Sequence, residues 1–219
     1  MRVPGLLRWL LFAVVLTSLP VAAGVVVLGG EDEPAAAPRP PEPSYTSTSL
    51  ADFDTTVATL QRAPFCDRLP EAAVAEALDG EPGATTAYRN GQRAELAPGL
   101  EDVAHEYGCR FTGAGGAELR AWLFAPPVTR ARATELVEDA AGREPCTRAT
   151  PAPAYGAPSV ALVCPAGDRT WASFRGLFGD AWLTCSLAAP ARLSEQQLLD
   201  RAGRWCVAVA QAASTSVVE

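Results

Sequence analysis

Residues 180–213 read DAWLTCSLAAPARLSEQQLLDRAGRWCVAVAQAA, and two periodicities meet in them. From Asp180 to Leu187 the side chains alternate, and a period of two puts Ala181, Leu183, Cys185 and Leu187 on one apolar face of a strand. From Ser194 the spacing becomes helical: Leu198, Leu199, Ala202, Cys206 and Val209 share a stripe, while Asp200, Arg201 and Arg204 point away. Ser194-Glu195-Gln196-Gln197 has the form of a capping box and opens this helix, which is expected to run over 194–213. Laying the stripe on the strand face brings two sulfurs together, so Cys185 and Cys206 are the strongest disulfide pair.

Working outward, residues 159–164 and 169–175 read as two further strands. A hairpin closed across Gly176-Leu177-Phe178-Gly179 pairs Arg175 with Asp180, Ser173 with Trp182 and Trp171 with Thr184. Residues 129–141 form a helix with the stripe Ala133, Leu136, Val137 and Ala140, and Arg130 and Arg132 at its start call for tertiary ion pairs. Residues 107–112 and 118–125 form a second hairpin across Gly113-Ala114-Gly115-Gly116. The Gly, Pro and Asn content of 81–98 predicts a loop, and Pro70 and Gly80 bracket a short helix over 70–79. Residues 49–62 fit helix and strand spacing equally. Neighbouring strands with helices beside them predict an α+β domain: an antiparallel sheet of about five strands with helices packed on it.

The amino terminus carries an address. Arg2 and Arg8 precede an apolar run from Trp9 to Gly30, 22 residues that end at Glu31-Asp32-Glu33. At ~1.5 Å per residue such a helix spans the roughly 30 Å hydrocarbon core. The flanking charges put the amino terminus in the cytoplasm and the rest outside. Two readings stand: a retained single-pass anchor, or a signal peptide cut after Val21-Ala22-Ala23. Val25 to Leu28 extend the run past that site, which favours the anchor. Residues 31–48 are rich in proline, alanine and acid and form a linker, so the organisation is anchor 1–30, linker 31–48 and extracytoplasmic domain 49–219.

Export permits disulfides. Six cysteines allow 15 connectivities. With Cys185 and Cys206 paired, Cys146 and Cys164 close a short loop and Cys66 and Cys109 remain. The competing use is a metal site on His105 and Cys109, but no second short Cys or His pair accompanies them.

Composition removes several chemistries. The chain has no lysine, all 18 basic residues being arginine, and its one histidine is His105. Schiff-base, P-loop and Ser-Lys mechanisms are therefore out. A net charge of -7 disfavours nucleic acid as a partner. No cofactor motif is present. His105 is a lone candidate base, and the carboxylate pairs Glu71 with Glu76 and Glu101 with Asp102 read as solvated faces. One pattern points to a ligand: Trp171 and Trp182 share the face opposite Cys185, and Trp122 and Phe124 alternate onto the same side. An aromatic platform binds flat or apolar molecules, whereas a second helix laid over that face makes it core.

The segments FCDRLPEAAVAEALDG (65–80), YGCRFTG (107–113), FAPPVTRARATELVEDA (124–140), GLFGDAWLTCSL (176–187) and LLDRAGRWCVAVAQA (198–212) together resemble the uncharacterised cysteine-paired domains of exported and lipid-anchored actinobacterial proteins. Many of those carry a lipobox, which is missing here. The absence of lysine and isoleucine, with abundant alanine, matches a very GC-rich genome. The resemblance implies an envelope-facing domain and transfers no catalytic residues. The expected function is a membrane-anchored, extracytoplasmic binding, sensor or accessory domain with an unidentified envelope ligand or protein partner. The alternative is an envelope hydrolase or transferase using His105 or a carboxylate pair.

Overall fold

The computed structural model describes residues 45–97 and 99–214; the expected anchor and most of the linker lie outside them. Among these residues no helix is long and apolar enough to cross a membrane. The strands are β1 (Pro82–Tyr88), β2 (Arg93–Ala97), β3 (Leu100–Val103), β4 (Glu106–Gly113), β5 (Glu118–Phe124), β6 (Thr147–Arg148), β7 (Ser159–Ala166), β8 (Arg169–Phe178) and β9 (Ala181–Pro190). The helices are α1 (Glu71–Leu78), α2 (Arg130–Ala141) and α3 (Glu195–Ala213). Seven strands make one antiparallel sheet in the order β1-β4-β5-β9-β8-β7-β6, and β2 and β3 form a separate hairpin.

β9 is the middle strand and is buried on both faces. One face carries Leu183, Cys185 and Leu187 with Leu119, Leu123, Phe111 and Phe174, and α3 and α1 cover it. There Trp205 meets the ring of Phe111 edge-on with centroids 5.9 Å apart, and the buried Tyr155 hydroxyl donates to the Cys206 carbonyl at 2.9 Å. Ser194 closes a capping box with Gln197 at the start of α3, as its sequence predicts. On the opposite face α2 packs mainly over β7, β8 and β9, where Ala133, Val137 and Ala140, with Val128 just before the helix, meet Val160, Leu162, Leu177 and Trp182.

The disulfides are Cys66–Cys109, Cys146–Cys164 and Cys185–Cys206, with no free cysteine. The third joins β9 to α3 where the strand face meets the helix stripe.

Four expectations need correction. The main sheet has seven strands rather than about five, because β1 lies in the stretch read as a loop and β6 is a two-residue strand; β2 and β3 also fall where no strand was expected. Pro82 and Gly83 are tolerated in β1 because it is an edge strand with a bulge between Pro82 and Ala84. Residues 49–62 are neither helix nor strand but turns, tied down by one bridge from Leu60 to Ser214.

The β8–β9 hairpin turns more tightly than expected, at Gly179 and Asp180, with Gly179 at φ 63°. Arg175 therefore faces Thr184, Leu177 faces Trp182 and Trp171 faces Ala188. The register moves by an even number of residues, so every side chain keeps its face. Finally, of the two arginines at the start of α2, Arg132 finds a local partner instead of a tertiary one, Glu135 at 2.7 Å. Tyr45 and Ser47 donate hydrogen bonds to Glu76 of α1 at 2.6 and 2.8 Å.

Candidate functional site

Because α2 covers only part of its face, a cleft of about 470 Å³ remains between the sheet, α2 and β2. Its floor is a row of side chains across neighbouring strands: Tyr88 on β1, Gly108 on β4, Trp122 on β5, Thr184 on β9 and Arg175 on β8. The alternation of each strand puts these five on one side, and the antiparallel register aligns them. Gly108 is required here, since a Cβ would sit 2.2 Å from the Tyr88 ring. That ring lies over Gly108 and its hydroxyl donates to Glu106 at 2.6 Å. Burial and the hydrogen bond to Glu106 push the Tyr88 hydroxyl well above its ordinary range. Burial likewise raises the Glu106 carboxyl, opposed by the Tyr88 hydrogen bond and the charge of His105.

The walls combine apolar and cationic groups. Trp122, Phe124, Leu136 and Trp182 supply the apolar surface. Five arginines border the cleft, 110, 120, 132, 143 and 175, against three carboxylates, Glu95, Glu106 and Asp139. Three of those arginines already have a carboxylate partner, Arg132 through Glu135 on its own helix. Glu118, almost fully buried, holds Arg120 and Arg110 at 2.6 Å, the latter off the hydrogen-bond line, and Arg169 at 3.5 Å.

Arg175 differs. Its Nε donates to Ser173 at 3.3 Å, and no carboxylate among the described residues pairs with it. Burial first, and the charge of Arg143 second, lower its pKa from the ordinary arginine value. Beside it Thr184 is 1% exposed, and its hydroxyl has no hydrogen-bond partner.

The four aromatic residues singled out in the sequence thus divide. Trp122 and Phe124 stand half-buried in the cleft, and Trp182 forms its base beneath α2 at 2% exposure. Trp171 shares their face but lies outside the cleft, against the guanidinium groups of Arg120 at 4.8 Å and Arg169 at 6.0 Å. On this face α2 makes Trp182 core and leaves Trp122 facing a cavity.

The groups considered for catalysis are not brought together. His105 is exposed in the bend before β4, and the adjoining Glu106 is engaged by Tyr88. Glu76 accepts from Tyr45, Ser47 and Arg204, away from the exposed Glu71. Glu101 and Asp102 lie exposed on β3. Cys109 is bonded to Cys66, which removes it as a partner for His105 on a metal. No group of three or more metal-ligating side chains occurs among the described residues.

Arg175, Thr184 and Tyr88 were not singled out from the sequence. A signal existed for the first, an arginine set among the apolar residues of ASFRGLF (172–178) on the same alternating face as Trp171.

No family model and no curated protein matches the chain. A solved structure of a GTP-binding regulator from Thermotoga maritima aligns with 67% of this chain and 93% of its own, at 8% identity and a TM-score of 0.29, a likeness too slight to carry an argument about fold or function.

Proposed function

We propose that this is an extracytoplasmic binding module, a sensor or accessory domain of the bacterial cell envelope, held at the membrane by residues 9–30 and taking a small ligand in the cleft between the sheet and α2. The observation that carries this reading is the preformed cleft of about 470 Å³ with aromatic walls and a few convergent polar groups. That is the usual make-up of a small-molecule site, whose volumes run from roughly 300 to 1,000 Å³. Three disulfides suit an oxidising compartment outside the cytoplasm. A net charge of -7 speaks against nucleic acid as the partner. The hydrolase or transferase alternative draws little support, because His105 is exposed and its neighbouring carboxylate is occupied.

The test is to express the full chain in a GC-rich actinobacterium, purify it from membranes and compare native with denaturing mass spectrometry. A small molecule should leave the wild type on denaturation and be missing from Trp122→Ala, while His105→Ala retains it. Equal recovery from wild type and Trp122→Ala overturns the cleft as the binding site. Salt-resistant fractionation with membranes is expected, and a mature form beginning near Gly24 removes the anchor from the reading.

A further inference from the structure

We propose that the cleft selects an organic anion with a flat apolar body, its carboxylate or phosphate head held by Arg175 and Thr184 and its body lying against Trp122 and Phe124. This rests on the cleft being a ligand site and adds the sign of the charge it takes. Two observations converge. Arg175 is a half-buried guanidinium whose one side-chain hydrogen bond among the described residues runs from Nε to Ser173, so among those residues its terminal amino groups remain available to the cleft. Burying a charge without a counter-charge is costly, and most other partly buried arginines here are matched: Glu118 serves Arg110, Arg120 and Arg169, and Glu76 serves Arg204, while Arg68, away from the cleft, reaches the backbone carbonyls of Pro64 and Ser214.

Thr184, the direct cross-strand neighbour of Arg175, buries a hydroxyl that no group among the described residues satisfies. An oxyanion placed between them accepts from both, through charge-assisted hydrogen bonds of the stronger kind. Arg143, also bordering the cleft and close enough for its charge to act on Arg175, adds a second positive charge. Of the three bordering carboxylates, Glu106 is held by Tyr88, Glu95 accepts from the Gly99 N–H at 2.9 Å, and Asp139 is exposed on α2. All three come from other elements than the strand pair that carries Arg175 and Thr184, so the head is assigned to the β8–β9 end and the apolar body to the β5 side.

The experiment uses the full chain in nanodiscs of zwitterionic lipid, with empty discs subtracted, and isothermal titration of four probes sharing one ring system. These are 2-naphthoate, 2-naphthyl phosphate, neutral 2-naphthamide and cationic 2-naphthylmethylammonium; acetate and inorganic phosphate report the head alone. The expected result is that at least one of the two anions binds ten-fold or more tighter than the amide, and that acetate and phosphate bind at least a hundred-fold weaker than the aromatic anions. Arg175→Gln should bring the anions down to the affinity of the amide and leave the amide unchanged, and Thr184→Val should weaken the anions about three-fold.

If Arg175→Gln does not fold, Arg143→Gln at its exposed position should still narrow the gap between anion and amide. Equal binding of anion and amide, or tighter binding of the ammonium probe, overturns the anion assignment while leaving the cleft a ligand site if Trp122→Ala abolishes binding. Binding that Trp122→Ala does not touch, or no binding of any probe, overturns both.

Discussion

Trp182 and Trp122 stand one row apart on the same sheet face, and α2 gives them different roles. Trp182 lies beneath α2, so Trp182→Ala should lower stability by roughly 3–5 kcal/mol in a denaturant titration, as large aromatic truncations in cores do. Trp122 is half-buried beside the cavity, and Trp122→Ala should leave the unfolding midpoint much closer to wild type while removing the ligand response. Two glutamates make opposite contributions to pH stability. Burial alone would raise the Glu76 carboxyl, but hydrogen bonds from Tyr45, Ser47 and Arg204 bring it below its ordinary 4.5, so its contribution is present above about pH 4.5 and lost as pH falls through its folded value.

Burial raises Glu106 above that same reference, so what it favours is the protonated form, and stability on its account falls as pH rises through its folded value. Comparing Glu76→Gln and Glu106→Gln with wild type between pH 3 and 7 checks both signs: the first should flatten the acid limb, and the second should relieve a loss on the neutral side. Aromatic residues of the site were legible from alternation alone. Arg175 and Thr184 were not, since whether a strand arginine is buried, or a hydroxyl unpartnered, is decided by where α2 comes to rest and not by local spacing.

Among the elements, α3 and β9 could be read almost to the residue because each carries one unbroken periodicity and a boundary signal. Ser194→Ala, which removes the cap of α3, should cost about 0.5–2 kcal/mol by thermal unfolding, and replacing Cys185 and Cys206 together should cost about 2–4 kcal/mol. The strands β1, β2 and β3 escaped sequence reading for a physical reason: they are mostly exposed on both sides, so no alternation of apolar and polar residues is imposed on them. Their pairing comes from the partner strand and the turn instead. The β8–β9 register was missed because Leu177 and Phe178 are apolar enough to continue a strand, and a two-residue turn at Gly179 lets them.

The hairpin of β2 and β3 pairs only with itself, and Glu95, Leu96 and Ala97 border the cleft. Replacing residues 93–103 by a short turn should therefore leave the thermal midpoint almost unchanged, as followed by circular dichroism, and weaken binding of any cleft ligand.

At the scale of the molecule, the two faces of the sheet are built for different ends. The α3 face carries the larger apolar core, with a second cavity of about 710 Å³ beside α3, and the α2 face is part core and part cavity. The described residues begin at Tyr45 against α1 and end at Ser214 beside Leu60, both on the α3 side. The disulfide map also fixes how the domain would behave as a mechanical element. Under tension applied at its two ends, the covalent path takes three short cuts, from 66 to 109, from 146 to 164 and from 185 to 206.

Sequence separations of 43, 18 and 21 residues are thereby withheld from extension. Most of β1 to β4 and the β9 to α3 corner from 185 to 206 lie inside these loops and stay unstretched, whereas β5, α2 and all of β8 bear load. Reduction would lengthen the unfolded tether by about 3.3–3.6 Å for each residue released. A domain so wired gives way first at the strands and helix that enclose its own cavity, which makes the cleft the compliant part of the structure and the corner of β9 and α3 its rigid mount.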